Sequence, residues 1–281
     1  EGHTVTIQTP QIVTSQIPDE LASKLRASIL FLGPLLARVG AVTMRHPGGC
    51  ILGRRPVGTH FDGLQSIGAK FQQDELRYYG KAAQLIGSHM FLDEVSVTAT
   101  ENVMMAAVLS HGVTIIEPAA TEPHVVSLGL MLNAMGAHIE GLGTHTITIH
   151  GVDRLHGVEA HVNSDEIETG TFAVAIGITH GQGTLHGVDS HNLASIRHKL
   201  DQFGIRTEFE GTKLHVHAAE TFKATRVLID TWPRLPTDLQ PPLTVLATQA
   251  EGTSLIHDWM YDRRLMYTDE LAKLGANIML C

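Results

Sequence analysis

The sequence predicts an α/β fold of repeated helix–strand units in two domains. Three observations carry that expectation: a period of about seventy residues, glycines at fixed places within it, and strand-like alternation after the helices. The first glycine marker sits in Ser66-Ile67-Gly68-Ala69, Ala134-Met135-Gly136-Ala137, Gln202-Phe203-Gly204-Ile205 and Lys273-Leu274-Gly275-Ala276, with spacings of 68, 68 and 71 residues. Each is predicted to stand at the C′ position of a helix, where the left-handed backbone is accessible to glycine at little steric cost. A second marker, Gly40, Gly112, Gly183 and Gly252, runs ahead of the first with spacings of 72, 71 and 69 residues.

Each copy therefore reads as helix, glycine, strand, helix, glycine, strand, followed by a hairpin strand where the copy is complete. In the second copy, Val103, Met104, Ala107 and Val108 form an apolar helical face after Thr100. Ile115 and Ile116 supply the next strand. Thr144, Thr146 and Thr148 then alternate with His145, Ile147 and Ile149, as a half-buried hairpin strand requires. The polar stretch His161-Val162-Asn163-Ser164-Asp165 precedes a fresh helix expected over Ile167–Ile178. The domain boundary is placed there, giving domains over 1–164 and 165–281, the second incomplete.

Composition narrows the function. With 281 residues and 43% hydrophobic content, the chain has ample material for a buried core. Its net charge of −9 argues against generic binding to a nucleic acid backbone, so an anionic ligand must be met by a local cationic cluster. Two cysteines make no disulfide framework and fit a reducing compartment, so the expected location is cytoplasmic. The longest apolar stretch, Ile29 to Val42, is interrupted by Gly33, Pro34, Arg38 and Gly40, and no membrane insertion is expected. Eighteen histidines occur without His-Glu-x-x-His or Cys-x-x-Cys, so neither a metal nor a cofactor is expected. Both ends read as cut, Glu1 not being an initiator and Ile278-Met279-Leu280-Cys281 standing within an apolar run.

The strongest chemical candidate is Cys50, in Arg45-His46-Pro47-Gly48-Gly49-Cys50-Ile51-Leu52-Gly53-Arg54-Arg55-Pro56. Neighbouring cations favour a thiolate, and the glycines let the backbone approach a ligand closely. The repeat frame shows this loop to be extra length. The two markers lie 28 residues apart in the first copy and 24, 21 and 23 in the others. A lone cysteine in a core remains the alternative from residue type alone.

At these residues the chain resembles the UDP-N-acetylglucosamine 1-carboxyvinyltransferase family of enolpyruvyl transferases. The similar stretches, in family order, are Leu25-Arg26-Ala27-Ser28-Ile29; Pro47-Gly48-Gly49-Cys50 with Arg55-Pro56-Val57 and His60; Ser96-Val97 with Ala99-Thr100-Glu101-Asn102-Val103-Met104; Leu132-Asn133-Ala134-Met135-Gly136-Ala137; Ile167-Glu168-Thr169-Gly170-Thr171-Phe172; and Pro236-Thr237-Asp238 with Arg264. The resemblance implies an inside-out α/β barrel fold in two domains, each a three-fold repeat of parallel strands and helices. It also implies transfer of the enolpyruvyl group of phosphoenolpyruvate to the 3′-hydroxyl of UDP-N-acetylglucosamine, with release of phosphate.

On that resemblance Cys50 is the general acid that can also add to phosphoenolpyruvate, and Asp238 is the candidate base at the sugar hydroxyl. The residue pattern alone makes Asp238 a helix N-cap after Pro236-Thr237. Arg26, Arg55 and Arg264 match substrate-binding positions. Pro56, Val57, Gly58, Thr59 and His60, with Glu94, Val95, Ser96 and Val97, match the loops that hold the nucleotide. Thr237, Met260 and Tyr261 fall near the sugar. Alone, Ser96 and Val97 read as a strand end and Met260 as core packing. Gly58, Glu94 and Thr98 depart from the family pattern, which leaves open another nucleotide acceptor or a ligand-binding fragment without turnover. The expected partners are these two small molecules, with no nucleic acid and no membrane.

Overall fold

The computed structural model of the chain describes residues 3–49 and 56–280. They form two compact units: one runs up to Ala160 apart from Glu122–His124, and the other takes those three residues and everything from His161 onward.

In the first unit, α1 (Asp19–Lys24) leads into a 3-10 turn (Arg26–Phe31), α2 (Leu32–Val39), β1 (Ala41–Arg45), α3 (Gly58–Ser66), β2 (Lys70–Gln73) and β3 (Arg77–Lys81). The second copy follows as β4 (His89–Phe91), α4 (Val97–Ala107), β5 (Val113–Glu117), α5 (Pro123–Ala134), β6 (His138–Glu140) and β7 (Ile147–His150). Strand pairing is mixed, the hairpin strands adding antiparallel neighbours to the parallel pairing that the resemblance implies. β3 lies antiparallel between β1 and β2, whereas β4 pairs parallel with β5 and β7 runs antiparallel to both β5 and β6. A tight hairpin after the second helix of each copy can only join antiparallel neighbours, and parallel pairing survives where a helix intervenes. The segment ahead of α1 contributes a single parallel bridge, Gln16 to Thr43. The core gathers Ile29, Leu32, Met44, Leu64, Met104 and Ile147, all fully buried.

The second unit contains α6 (Glu166–Ile178), β8 (Gln182–His186), α7 (Ala194–Phe203), β9 (Arg206–Glu210), β10 (Lys213–His217), β11 (Phe222–Lys223), β12 (Arg226–Leu228), α8 (Gln240–Ala247), β13 (Ala250–Glu251), β14 (Leu255–His257) and α9 (Thr268–Lys273). Here β10 is central and antiparallel to β8 and β9, while β11 pairs parallel with β13 and β12 with β14. Leu200, Phe203, Ile205, Val216 and Leu246 are wholly enclosed in its core. Residues 276–280, read as a strand after Gly275, form none, because no neighbouring strand supplies a ladder among the described residues. No sheet among the described residues closes into a barrel.

The repeat glycines behave as their spacing predicts. Gly68, Gly136, Gly204 and Gly275 have φ of 102°, 100°, 99° and 98°, one left-handed turn used four times. In the second series the third copy departs: Gly183 lies within β8, and the left-handed position after α6 is taken by His180 at φ 53°. α6 itself starts one residue before its expected first position. The Asp165 carboxylate caps it, Oδ1 accepting from the N–H groups of Ile167 (2.8 Å) and Glu168 (2.9 Å).

Candidate functional site

The predicted site residues fall into one cluster in each unit. In the first unit, Arg26 opens the 3-10 turn and is half-buried. The described start of the cysteine loop rests on the end of α1 and the start of that turn. The Gly48 N–H donates to Ala22 O at 3.0 Å, and a Cβ on Gly48 would lie 1.5 Å from Ser23 O. Gly49, at φ 101°, stands against the Arg26 backbone, its notional Cβ 3.0 Å from Arg26 N. Glycine is needed here for the close approach. His46 stacks on Tyr78, with ring centroids 4.4 Å apart. Cys50 and Arg55 lie outside the described residues.

Pro56 and Val57 lead into α3. Gly58, Thr59 and His60 belong to its first turn, not to a loop. Both Thr59 and His60 are buried, and Thr59 Oγ1 donates to Glu94 Oε1 at 2.8 Å. Glu94, Val95 and Ser96 precede α4. Ser96 is not a strand end: it is the N-cap of α4, Oγ accepting from Ala99 N–H at 3.4 Å, and Val97 is the first helical residue.

Behind these segments lies a hydrogen-bond chain centred on Asn102, which is fully buried. Its Oδ1 accepts from Gly33 N–H (2.9 Å), and its Nδ2 lies 2.9 Å from both Ile29 O and His60 Nδ1. The other ring nitrogen, Nε2, is 3.1 Å from Thr98 Oγ1. Burial, with the Arg26 charge adding to it, pushes the His60 imidazole down from 6.5 to about 4, so it is uncharged at neutral pH.

In the second unit, Thr237 and Asp238 occupy a short 3-10 turn (Thr237–Leu239) before α8, and Asp238 caps nothing. Instead, Arg264 Nη2 donates to Asp238 Oδ1 at 2.7 Å and to Thr237 O at 3.1 Å. Asp258 ties the remaining residues together. Its carboxylate accepts from Thr237 Oγ1 (2.6 Å) and Met260 N–H (3.0 Å). The Arg264 guanidinium sits 5.9 Å from the Tyr261 ring centroid. Met260 is half-buried against the core of this unit, so it packs while lying beside the cluster. Below it, Gln240 is fully buried, its Nε2 donating to Thr244 Oγ1 (2.8 Å) and Tyr267 OH (2.7 Å). Burial pushes the Tyr267 phenol up.

Asp258 and Asn102 were not singled out from the sequence as site residues. Asp258 lies two residues before Met260, and Asn102 ends the Thr100-Glu101-Asn102 motif, but neither neighbourhood reveals its partner. Among the described residues, no group of three or more His, Cys, Asp or Glu side chains could hold a metal ion.

The EPSP synthase (3-phosphoshikimate 1-carboxyvinyltransferase) family matches residues 1–280. The chain belongs to this carboxyvinyltransferase family. It is 43% identical over 289 residues to UDP-N-acetylglucosamine 1-carboxyvinyltransferase of Treponema denticola and 44% identical over 285 residues to that of Shewanella amazonensis. In both cases all of this chain and 68% of the relative are covered. Among solved structures, the enolpyruvyl transferase NikO from Streptomyces tendae matches with a TM-score of 0.84 at 21% identity, over 95% of this chain and 64% of that one. The EPSP synthase of Acinetobacter baumannii matches with a TM-score of 0.61 at 21% identity, over 87% of this chain and 59% of that one. The fold is therefore the mixed α/β enolpyruvyl transferase fold. No described helix is long and apolar enough to cross a membrane.

Proposed function

We propose that the protein transfers the enolpyruvyl group of phosphoenolpyruvate to the 3′-hydroxyl of UDP-N-acetylglucosamine and releases phosphate, a step of peptidoglycan precursor synthesis carried out in the cytoplasm. The observation that carries this reading is Asp238, an exposed carboxylate held at 2.7 Å by a buried arginine, in a chain 43% identical to a relative of that name. Such an aspartate is oriented and accessible, as a base for a sugar hydroxyl must be.

The chemistry divides among named residues. Asp238 takes the proton of the 3′-hydroxyl as its oxygen bonds to C2 of the enol, and Cys50 delivers a proton to C3. The resulting tetrahedral adduct returns a C3 proton to the Cys50 thiolate as the C2–O bond to phosphate breaks, which restores the double bond and the thiol. Arg26 and Arg55 offset the phosphate and carboxylate charges, which is where cationic residues contribute most in such a transfer. Gly58–His60 and Glu94–Val97 hold the nucleotide, and Thr237, Met260, Tyr261 and Arg264 line the sugar. The ligands are these small molecules, with no nucleic acid or membrane partner and no cofactor.

The test is phosphate release by the chain with each substrate alone and with both together. Release that needs both is expected, and release independent of the nucleotide sugar overturns the reading. A Cys50→Ser variant is expected to turn over more slowly at neutral pH. Unchanged kinetics in that variant remove the thiol from the mechanism.

A further inference from the structure

The polar chain through Asn102 has a single consistent proton assignment. Gly33 N–H can only donate, so the Asn102 atom facing it at 2.9 Å is the carbonyl oxygen. Ile29 O can only accept, so the atom facing it is the amide nitrogen. The amide orientation is thus set by two backbone groups and not by the histidine. Nδ2 carries two protons; one goes to Ile29 O, and the other points at His60 Nδ1, 2.9 Å away. Nδ1 must then be an unprotonated acceptor, and an uncharged ring carries its proton on Nε2, which faces Thr98 Oγ1 at 3.1 Å.

The same atoms tie four helical segments together. Ile29 lies in the 3-10 turn, Gly33 in α2, His60 in the first turn of α3, and Thr98 and Asn102 in α4. The approach is close enough that a Cβ on Gly33 would stand 2.2 Å from Asn102 O. A second link, Thr59 to Glu94, joins the same two segments.

We propose that Asn102 is a positioning residue that holds His60 as the Nε2–H tautomer, with Thr98 receiving that proton, and that this relay sets the first turn of α3 against the first turn of α4. The inference deepens the proposed function by giving these two nucleotide-holding segments one internal clamp, and its ligand-binding consequence rests on that reading. Protonating Nδ1 would set two N–H groups against each other, so the clamp excludes the charged ring as well as the other tautomer. Arg26 is the charged group that acts on His60 in addition to burial. Thr98 supplies the hydroxyl that faces Nε2 at 3.1 Å.

The experiment is nitrogen-detected NMR of imidazole-labelled full chain, with His60→Gln to assign the signal, combined with calorimetric titration of UDP-N-acetylglucosamine. The expected wild-type result is an Nε2–H ring that does not titrate between pH 8 and 5. In Asn102→Asp, the carboxylate accepts from Nδ1–H, so the ring changes tautomer or gains charge, and nucleotide-sugar affinity falls about tenfold, as for the loss of one hydrogen bond of ordinary strength. Thr98→Gly is expected to keep the tautomer and lose the Nε2 bond.

An Nδ1–H ring in the wild type, or an unchanged tautomer in Asn102→Asp, overturns the assignment. A changed tautomer with unchanged affinity overturns the clamp. If the wild-type chain binds no nucleotide sugar at all, the proposed function fails, and the NMR result still decides the assignment because it needs no ligand and no variant of Asn102.

Discussion

Arg264 and Asp238 form an ion pair in which the cation is buried and the anion is not: Nη2 meets Oδ1 at 2.7 Å, while 7% of the arginine side chain and 64% of the aspartate side chain is exposed. The asymmetry has a chemical use. A buried guanidinium is held in place by its surroundings and by Thr237 O, so it can orient a carboxylate whose remaining surface stays open to a substrate. Because the aspartate is in solvent, its contribution to stability is that of a surface pair, about 1 kcal/mol or less.

The first prediction follows from that division. Asp238→Asn is expected to keep the urea midpoint of the second unit nearly unchanged while lowering kcat by roughly 100-fold to 10,000-fold, the usual span for loss of a general base. A large loss of stability with little loss of turnover would make Asp238 a structural partner of Arg264 instead.

His60 governs a pH effect with a definite sign. Its folded value is depressed to about 4 from 6.5, so the unfolded chain binds this proton first as pH falls. The stability it contributes is complete above pH 6.5 and is lost as pH drops toward 4, on the order of 3 kcal/mol by the shift. Urea midpoints measured from pH 7 to pH 4 should fall more steeply in the wild type than in His60→Gln. Parallel slopes for the two proteins would contradict a buried, uncharged imidazole.

Gly48→Ala tests the seat of the cysteine loop. The added Cβ meets Ser23 O at 1.5 Å, and the obstacle is backbone, so the loop or the turn at Arg26 must shift. A loss of about 1–3 kcal/mol is expected, as for overpacking elsewhere, together with slower turnover. Thermal melting and steady-state kinetics read both effects, and a neutral substitution would mean that the loop does not rest on Ser23.

Asp165→Ala removes the cap of α6, whose carboxylate serves two N–H groups. A loss of about 1 kcal/mol is expected in denaturant unfolding. Asp165→Ser should recover most of it, because a hydroxyl can cap the same helix end.

Much of the backbone plan is legible in the residues. The four marker glycines adopt one φ near 100°, and Ile147 and Ile149 are buried where alternation puts them. The misreadings have a common cause. Ser96 caps α4 instead of ending a strand, and Asp238 pairs with Arg264 instead of capping α8. Short polar side chains offer the same hydrogen bonds to a local N–H or a distant group, and composition around them does not say which is within reach. At Gly183 the period holds, while the left-handed position after α6 is taken by His180.

The sequence by itself determined the repeat, the left-handed turns at Gly68, Gly136, Gly204 and Gly275, and the apolar faces, because steric limits on φ and the periods of helix and strand act over a few residues. It also determined the family through ordered motifs along the whole chain. The tertiary structure alone decided which polar groups meet. Asp238 finds its arginine 26 residues away, His60 its asparagine 42 away, and Gly33 the same asparagine 69 away. Those distances are spanned by packing of helix on helix and turn on turn, which places donors and acceptors within 3 Å only after the apolar cores have formed.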